Sequence, residues 1–377
     1  MNRPCLLATA AVALAFSVAC TQDQSPSPAA GDEAPVLVQP DGTYPTVPLE
    51  KEVVVVKVVQ NGVRNLQDFE SVEEGLEHNL AHMMSFVDRA CGEGGKPDFI
   101  LFNEFPLTGY SDGTREEKLK FTLRIPGPET DALGELARAC DTYIIFGSYA
   151  RDEDWPGHIL SINTVIGRDG NVTKKYWKTR NVKRLSADTE IPTTTVEGVR
   201  SAFRDRYGIE EEFPILQTEY GNIAVSTVQL DPLVFTAFSM RGVEIMFRTS
   251  TLFSRLDVRA AAMYNNFYSA MSNITFPPDS QWAKYGGGSL IVSPRGEVLA
   301  EDETNNESII EAEIPIAEFR ANRRIPRYPV AVTRPVFEQF VDESPLDHLD
   351  LPPDQLPQTG EAMKELIDST SRWLNAD

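Results

Sequence analysis

The stretch PETDALGELARACDTYIIFGSYARDEDWPGHILSINTVIGRDGNVTKKYWK, Pro128 to Lys178, decides the fold class. Pro128 to Cys140 reads as a helix, and Tyr143 to Tyr149 (YIIFGSY) as a strand. Two further strands, Leu160 to Ile166 and Val172 to Trp177, flank Arg168-Asp169-Gly170-Asn171, a strong hairpin-turn signal.

Upstream, the β-branched run Val53 to Val59 reads as a buried strand, and Val72 to Ala90 repeats its apolar residues with helical spacing. Asp98 to Phe102 (DFILF) is again a strand. Downstream come strand Ile223 to Val228, helix Pro232 to Arg241, strand Val243 to Phe247 and a helix over Leu256 to Met271. Leu290 to Val292 and Val298 to Ala300 are strands around the turn Pro294-Arg295-Gly296, and Ile309 to Ile314 is the last. That order is neither a pure βαβ array nor an all-β meander. It suits an α/β protein of the α+β type, two mixed sheets packed as a sandwich with helices outside.

The chain has 377 residues, 41% of them hydrophobic and 24% charged, enough for one large domain or two small ones. With 56 acidic against 35 basic residues its formal charge is -21. Such a surface repels phosphate backbones, so nucleic acid is not an expected partner. Cys91 and Cys140 each follow an alanine at the end of a helix-like stretch (DRAC, ARAC), where buried structural thiols often sit. Two unpaired, inert thiols are expected there.

Arg3 precedes an apolar run, Leu6 to Val18, too short for a permanent membrane span but the right length for a signal-peptide core. The run ends SVAC at Cys20, and small residues there suit the narrow subsites of a signal peptidase. This segment resembles a bacterial lipobox, with Ser17 a departure where a larger aliphatic residue is usual. The expected organisation is a lipoprotein signal peptide over 1–19 and a Pro/Ser-rich tether over 20–50. The main domain covers 51–328, followed by a C-terminal extension over 329–377. Lipidation of Cys20 would place the protein in a bacterial cell envelope, tied to a membrane only by that anchor. The extension, ending in the amphipathic Glu361 to Leu374, is expected to wrap the surface or a partner subunit.

Three strand ends gather the chemistry. Glu104 follows a buried strand in FILFNEFPLTGY, partly desolvated, a setting that suits a general base. Lys178 ends the second hairpin strand in TKKYWKTRN, where a fixed ammonium can stabilise an oxyanion. EYGNIAVSTVQLDP supplies the third. His78 and His82 stand four apart on a helix, but no third ligand accompanies them, so neither metal nor another cofactor is expected.

Together these pieces resemble the carbon-nitrogen hydrolase (nitrilase) superfamily over Val53 to Arg327. The match runs through the Glu104 segment with Leu107 to Tyr110, Pro126 to Pro128, IIFGSY, Asn163 in INTVIGRDG and the YWK around Lys178. It continues through GNIAV, RGVEIMF and GGSLIVSPRGEVLA. The resemblance implies a four-layer αββα sandwich, a homodimer or larger homo-oligomer, and a small amide, nitrile or carboxylate-like ligand. It also implies a glutamate base, a lysine supporting the tetrahedral intermediate and an attacking cysteine. Glu104 and Lys178 carry over; the cysteine does not. Matching forward from Gly221 puts its position at Val228, while matching backward from Arg241-Gly242 and Pro232 puts it at Ser226. Strand register favours Val228. For the second glutamate only Asp188 or Glu190 is at hand.

Valine has no lone pair to attack with, and a serine hydroxyl is far less acidic than a thiol. Three readings follow: a catalytically impaired, ligand-binding pseudoenzyme; an active hydrolase using Ser226 or water activated by Glu104; and a solute-capturing envelope lipoprotein.

Overall fold

The structure, a computed structural model, describes residues 38–39, 41–111, 113–181, 193–340 and 346–370. Strand β1 (Val54–Gln60) shows how the core is divided. Val54, Val56 and Val58 point between the two sheets, while Val59 points to a helix layer outside. The first sheet has the order β13 (Ser308–Ile314), β1, β2 (Phe99–Leu101), β4 (Tyr143–Arg151), β5 (Leu160–Ile166), β6 (Val172–Trp177). Strand β3 (Leu123–Arg124) pairs beside β4. The second has the order β12 (Val298–Asp302), β11 (Ser289–Val292), β10 (Tyr268–Asn273), β9 (Ile245–Ser250), β8 (Gly221–Ser226), β7 (Leu216–Thr218). Both are mixed. In the first, β1, β2 and β4 are parallel while β5, β6 and β13 join antiparallel. In the second, β8, β9 and β10 are parallel between antiparallel edges.

Helices α1 (Val72–Gly92) and α3 (Pro128–Cys140) cover the outer face of the first sheet, burying Met83, Phe86, Leu133 and Ala137 against Ile100, Ile144, Phe146 and Ile162. Ser71 caps α1 by accepting from the Glu74 N–H, and Pro128 opens α3 where a missing N–H costs nothing. Helices α5 (Pro232–Met240) and α6 (Arg255–Asn265) cover the second sheet through Phe235, Phe238, Val258 and Ala262. The architecture is the expected αββα sandwich. Each fully buried Phe, Leu or Ile contributes at most about 1.5–3 kcal/mol relative to exposure. The short helices α2 (Arg115–Leu119), α4 (Arg200–Tyr207) and α7 (Ile316–Asn322) complete the domain. Two more, α8 (Val330–Gln339) and α9 (Gly360–Thr370), belong to the C-terminal extension.

Several expectations change. The strand expected over 223–228 ends at Ser226, so Thr227 and Val228 lie in the turn beyond it. The helix expected over 256–271 stops at Asn265, where Asn266 adopts a left-handed conformation (φ 51°). Tyr268–Asn273 then form β10, buried along its whole length, so apolar periodicity could not separate it from the helix before it. Residues 43–50 are held against the body: the Tyr44 hydroxyl donates to Glu244 (2.8 Å) and Arg320 donates to the Val47 carbonyl (2.6 Å). Packed structure therefore begins ahead of Lys51. The extension wraps its own domain, seating Leu349, Leu356 and Met363 against Trp155, Val199 and Phe203. Arg115 holds it further by donating to the Pro357 carbonyl at 2.7 Å.

The two body cysteines are not free thiols. Cys91 and Cys140 form a disulfide with Cα atoms 6.0 Å apart. Strands β2 and β4 are parallel neighbours, so the helices that feed them run side by side and finish at the same level. The shared DRAC and ARAC endings thus bring the two sulfurs together. The bridge closes a sequence separation of 49 residues. Replacing both cysteines with alanine is expected to lower stability by about 2–4 kcal/mol, because the unfolded chain regains the entropy of an open loop. Urea unfolding of the oxidised wild type and the double variant measures this; equal midpoints would contradict it.

Candidate active site

Glu104 is fixed by backbone before any charge is considered. Phe102 N–H donates to the Ile145 carbonyl (2.8 Å) and Gly147 N–H to the Asn103 carbonyl (3.1 Å), so the β2–β4 pairing continues up to the residue before Glu104. The Asn103 side chain accepts from the Phe105 N–H (3.0 Å) and donates to Asn61 (2.9 Å), tying down both flanks of Glu104. Gly147 permits this path: a Cβ there would lie 2.5 Å from the Glu104 carbonyl oxygen and 2.9 Å from its Cα.

Lys178 stands just past β6. Its N–H donates to Ser161 (3.0 Å) and its carbonyl accepts from Val196 (3.1 Å), so its backbone is held from both sides. Its ammonium donates to Glu104 Oε1 at 3.3 Å. The Glu104 side chain is 6% exposed and that of Lys178 20%, so the pair opens to solvent on the lysine side. The two residues expected to share a site do so.

The residue that joins them from the second sheet is Thr227. Its hydroxyl donates to the same Glu104 Oε1 at 2.9 Å. Ser226 and Val228, the two expected positions, do not fill this place. Ser226 Oγ accepts from the Val228 N–H (3.1 Å), and the Val228 carbonyl accepts from Arg248 (2.8 Å). Alternation explains the choice. Val225 pairs with Phe247, which packs on Phe99 of the first sheet, and Ser226 pairs with Arg248, which lies over Phe235 on the helix side, so the turn that begins after Ser226 brings Thr227 back toward Glu104. Sequence alone hides this parity, because β8 is buried on both faces and its residues carry no polar/apolar alternation. Asp188, Glu190 and Cys20 lie outside the described residues.

Both bonds to Glu104 fall on Oε1, so Oε2 has no partner among the described residues. Nearby, Asn163 on β5 pairs across from Gly147 and accepts from the Thr249 hydroxyl (2.5 Å). Its buried Nδ2 has no partner among the described residues, and neither has the buried Ser161 Oγ. Phe105, next in the chain to Glu104, stacks on Tyr149 with ring centres 4.2 Å apart.

Arg248 supports the turn from behind. It is fully buried, 3.9 Å over the Phe235 ring, and donates to Asp257 (2.7 Å) as well as to Val228. Burial lowers its proton affinity, and Asp257 offsets part of that effect. Neither Arg248 nor Thr227 stood out in the sequence. An arginine in the apolar strand IMFRTS was the available signal.

Among the described residues no group of three or more His, Cys, Asp or Glu side chains could hold a metal ion. His82 bonds Glu307 at 2.8 Å, and His78 lies against the Phe69 ring. Two surface cavities of about 550 and 720 Å³ lie elsewhere, where Lys174 is paired with Glu211 and Lys175 with Asp152.

Comparison with known proteins adds to this geometry. The family model described as carbon-nitrogen hydrolase matches residues 58–324. A bifunctional nitrilase/nitrile hydratase of Lupinus angustifolius is 26% identical, over 58% of this chain and 69% of that one. An omega-amidase of Xenopus tropicalis is also 26% identical, over 52% and 70%. Among solved structures, an amidase from Nesterenkonia sp. superposes with a TM-score of 0.54 at 16% identity, covering 76% of this chain and 98% of that one. A mutant of that amidase carries the acetamide moiety of fluoroacetamide added covalently at its active site cysteine. At such identity the likeness concerns the fold.

The close approach at Gly147 gives a direct check on how Glu104 is placed. Gly147→Ala is expected to displace the Glu104 backbone and destabilise the protein by roughly 1–3 kcal/mol, the range for overpacking a tight interior. A urea midpoint equal to that of the wild type would show that the approach is not constrained.

Proposed function

The chain belongs to the carbon-nitrogen hydrolase family, and we propose that it binds a small amide-, nitrile- or carboxylate-bearing molecule at Glu104 and Lys178 without cysteine-dependent turnover. One observation carries this reading. Lys178 and Thr227 both bond Glu104 Oε1, which leaves Oε2 open beside an ammonium with N–H groups to spare. A primary amide complements that pair: its carbonyl oxygen accepts from Lys178 while its NH2 group donates to Oε2. A carboxylate or nitrile would use the ammonium alone.

The chain has four cysteines, and none is at the turn after β8. Cys91 and Cys140 are bridged to each other at the ends of α1 and α3, and Cys5 and Cys20 belong to the N-terminal segment. Residues 226–228 read Ser-Thr-Val. Covalent addition at a cysteine, as in the Nesterenkonia amidase, is not part of this reading. The reading is therefore of an impaired homologue that keeps the polar half of the family's site.

Export to a bacterial envelope, anchored through an acylated Cys20, is part of the same proposal. The apolar run ending in SVAC supports it, and so does the disulfide, since such bridges persist in oxidising compartments. In a bacterial host the wild type is expected in the membrane fraction and Cys20→Ser in the soluble periplasmic fraction. Wild type found wholly soluble would remove the anchor from the proposal.

Titration calorimetry with acetamide, propionitrile and acetate tests the binding site. Acetamide binding is expected to weaken roughly ten- to a hundredfold in Lys178→Met, the loss of one charge-assisted hydrogen bond. Wild-type protein that takes up none of the three compounds would defeat the reading.

A further inference from the structure

We infer that Thr227 is the acyl-accepting nucleophile of this site and that its substrates are short primary amides; this rests on the amide-binding reading above. The Thr227 hydroxyl already donates to Glu104 at 2.9 Å, the arrangement in which a carboxylate draws off a nucleophile's proton as the oxygen attacks. Lys178, 3.3 Å from the same carboxylate oxygen, stands where charge develops on the substrate's oxygen. Asn163 is held through Oδ1 by Thr249, and Thr249 is on β9, next to the Ser226–Arg248 pair that precedes Thr227. Its Nδ2 is buried and unpartnered among the described residues. A donor without a partner there costs stability unless something polar arrives to take it.

The turn is also stiffened in the way a nucleophile requires. Ser226 Oγ accepts from the Val228 N–H, and Arg248 donates to the Val228 carbonyl, so both polar groups of the residue after Thr227 are fixed. Leu230, in a left-handed conformation (φ 56°), completes the turn before α5 begins at Pro232. Thr227 is 2% exposed and Glu104 4%, so the attacking oxygen and its base are shielded from bulk water.

The reaction balances with water as the one co-reactant. Thr227 Oγ bonds to the amide carbonyl carbon while its proton moves to Glu104, and the oxyanion rests against Lys178. Collapse breaks the C–N bond as Glu104 returns the proton to nitrogen, releasing ammonia and leaving an ester on Thr227. Glu104 then takes a proton from water, whose oxygen attacks the ester carbonyl. The C–Oγ bond breaks, the proton returns to Thr227 and a carboxylic acid departs. Because a hydroxyl surrenders its proton far less readily than a thiol, turnover is slow and activated acyl donors react best.

The full chain is incubated with p-nitrophenyl acetate and mapped by peptide mass spectrometry, and ammonia release is measured with acetamide and propionamide. The expected result is an acetyl ester on Thr227, removable by hydroxylamine, together with ammonia release from the amides. Thr227→Val is expected to lower that release by about a thousandfold or more, while Thr227→Ser keeps part of it; thermal unfolding reports whether each variant folds. Acetylation of Ser226 or Lys178 in place of Thr227 would overturn the inference, as would a folded Thr227→Val turning over at the wild-type rate. Wild-type protein that binds acetamide yet yields neither ester nor ammonia overturns the nucleophile and leaves the binding site standing. Protein that does not bind acetamide at all removes both.

Discussion

A carboxylate almost shut off from water, at the seam between two sheets, constrains everything around it. Glu104 is 4% exposed, and an ionised group so placed must be met by opposite charge and hydrogen bonds. The partners come from different parts of the fold. Lys178 leaves the hairpin of the first sheet, and Thr227 follows β8, next to the β7 edge of the second. Lys178 shares a sheet with Glu104, but Thr227 can reach it only if the two sheets pack face to face with the C-terminal ends of β2 and β8 level. The sandwich core, Phe99 against Phe247 and Tyr220 for example, sets that level. The reach of Thr227 to Glu104 therefore depends on the apolar packing beneath it, and a shift of one sheet against the other would part Thr227 from the Glu104–Lys178 pair.

The opposite end of β8 and β9 shows what a buried carboxylate looks like when it is purely structural. Glu244, fully buried, accepts from Tyr44 (2.8 Å), the Asn222 N–H (2.7 Å) and two nitrogens of Arg320 (2.8 and 2.7 Å). Both of its oxygens are engaged, and no room is left for a ligand. Glu104 differs in having both bonds on one oxygen. That asymmetry separates a group that locks a fold from one that can still take a partner.

Much of this was legible in the sequence, and the gaps have physical causes. Helix α3 could be read to the residue because Pro128 opens it and Asp141 closes it, and β5 and β6 because a tight turn stands between them. Glu104 and Lys178 stand out through the ordered resemblance to the family, since a glutamate or lysine at a strand end is by itself an ordinary rim residue, and the structure brings the two together. The reach of Thr227 to Glu104 is hidden in the sequence because β8 is buried on both faces and carries no alternation that would orient the turn beyond it. The β10 strand was absorbed into the helix before it for the same lack of polar residues. The disulfide needed the relative placement of α1 and α3, a tertiary fact that no local pattern holds.

Replacing a thiol by a hydroxyl changes the balance between holding a substrate and transforming it. In the proposed reading, binding an amide uses the ammonium of Lys178 and the open oxygen of Glu104, and neither depends on the residue at the nucleophile's place. Turnover depends on it strongly. A thiol gives up its proton near neutrality, whereas a hydroxyl must lose its proton in the transition state itself, so general-base help and oxyanion stabilisation must act together. In Thr227 the proton already points at Glu104, and the turn beyond it is fixed by Arg248 and Ser226, so little reorganisation stands between the resting geometry and attack. What remains is the intrinsic reluctance of the hydroxyl. On the proposed reading the limit on rate is set by the chemistry of one oxygen rather than by any loss of the scaffold that positions it.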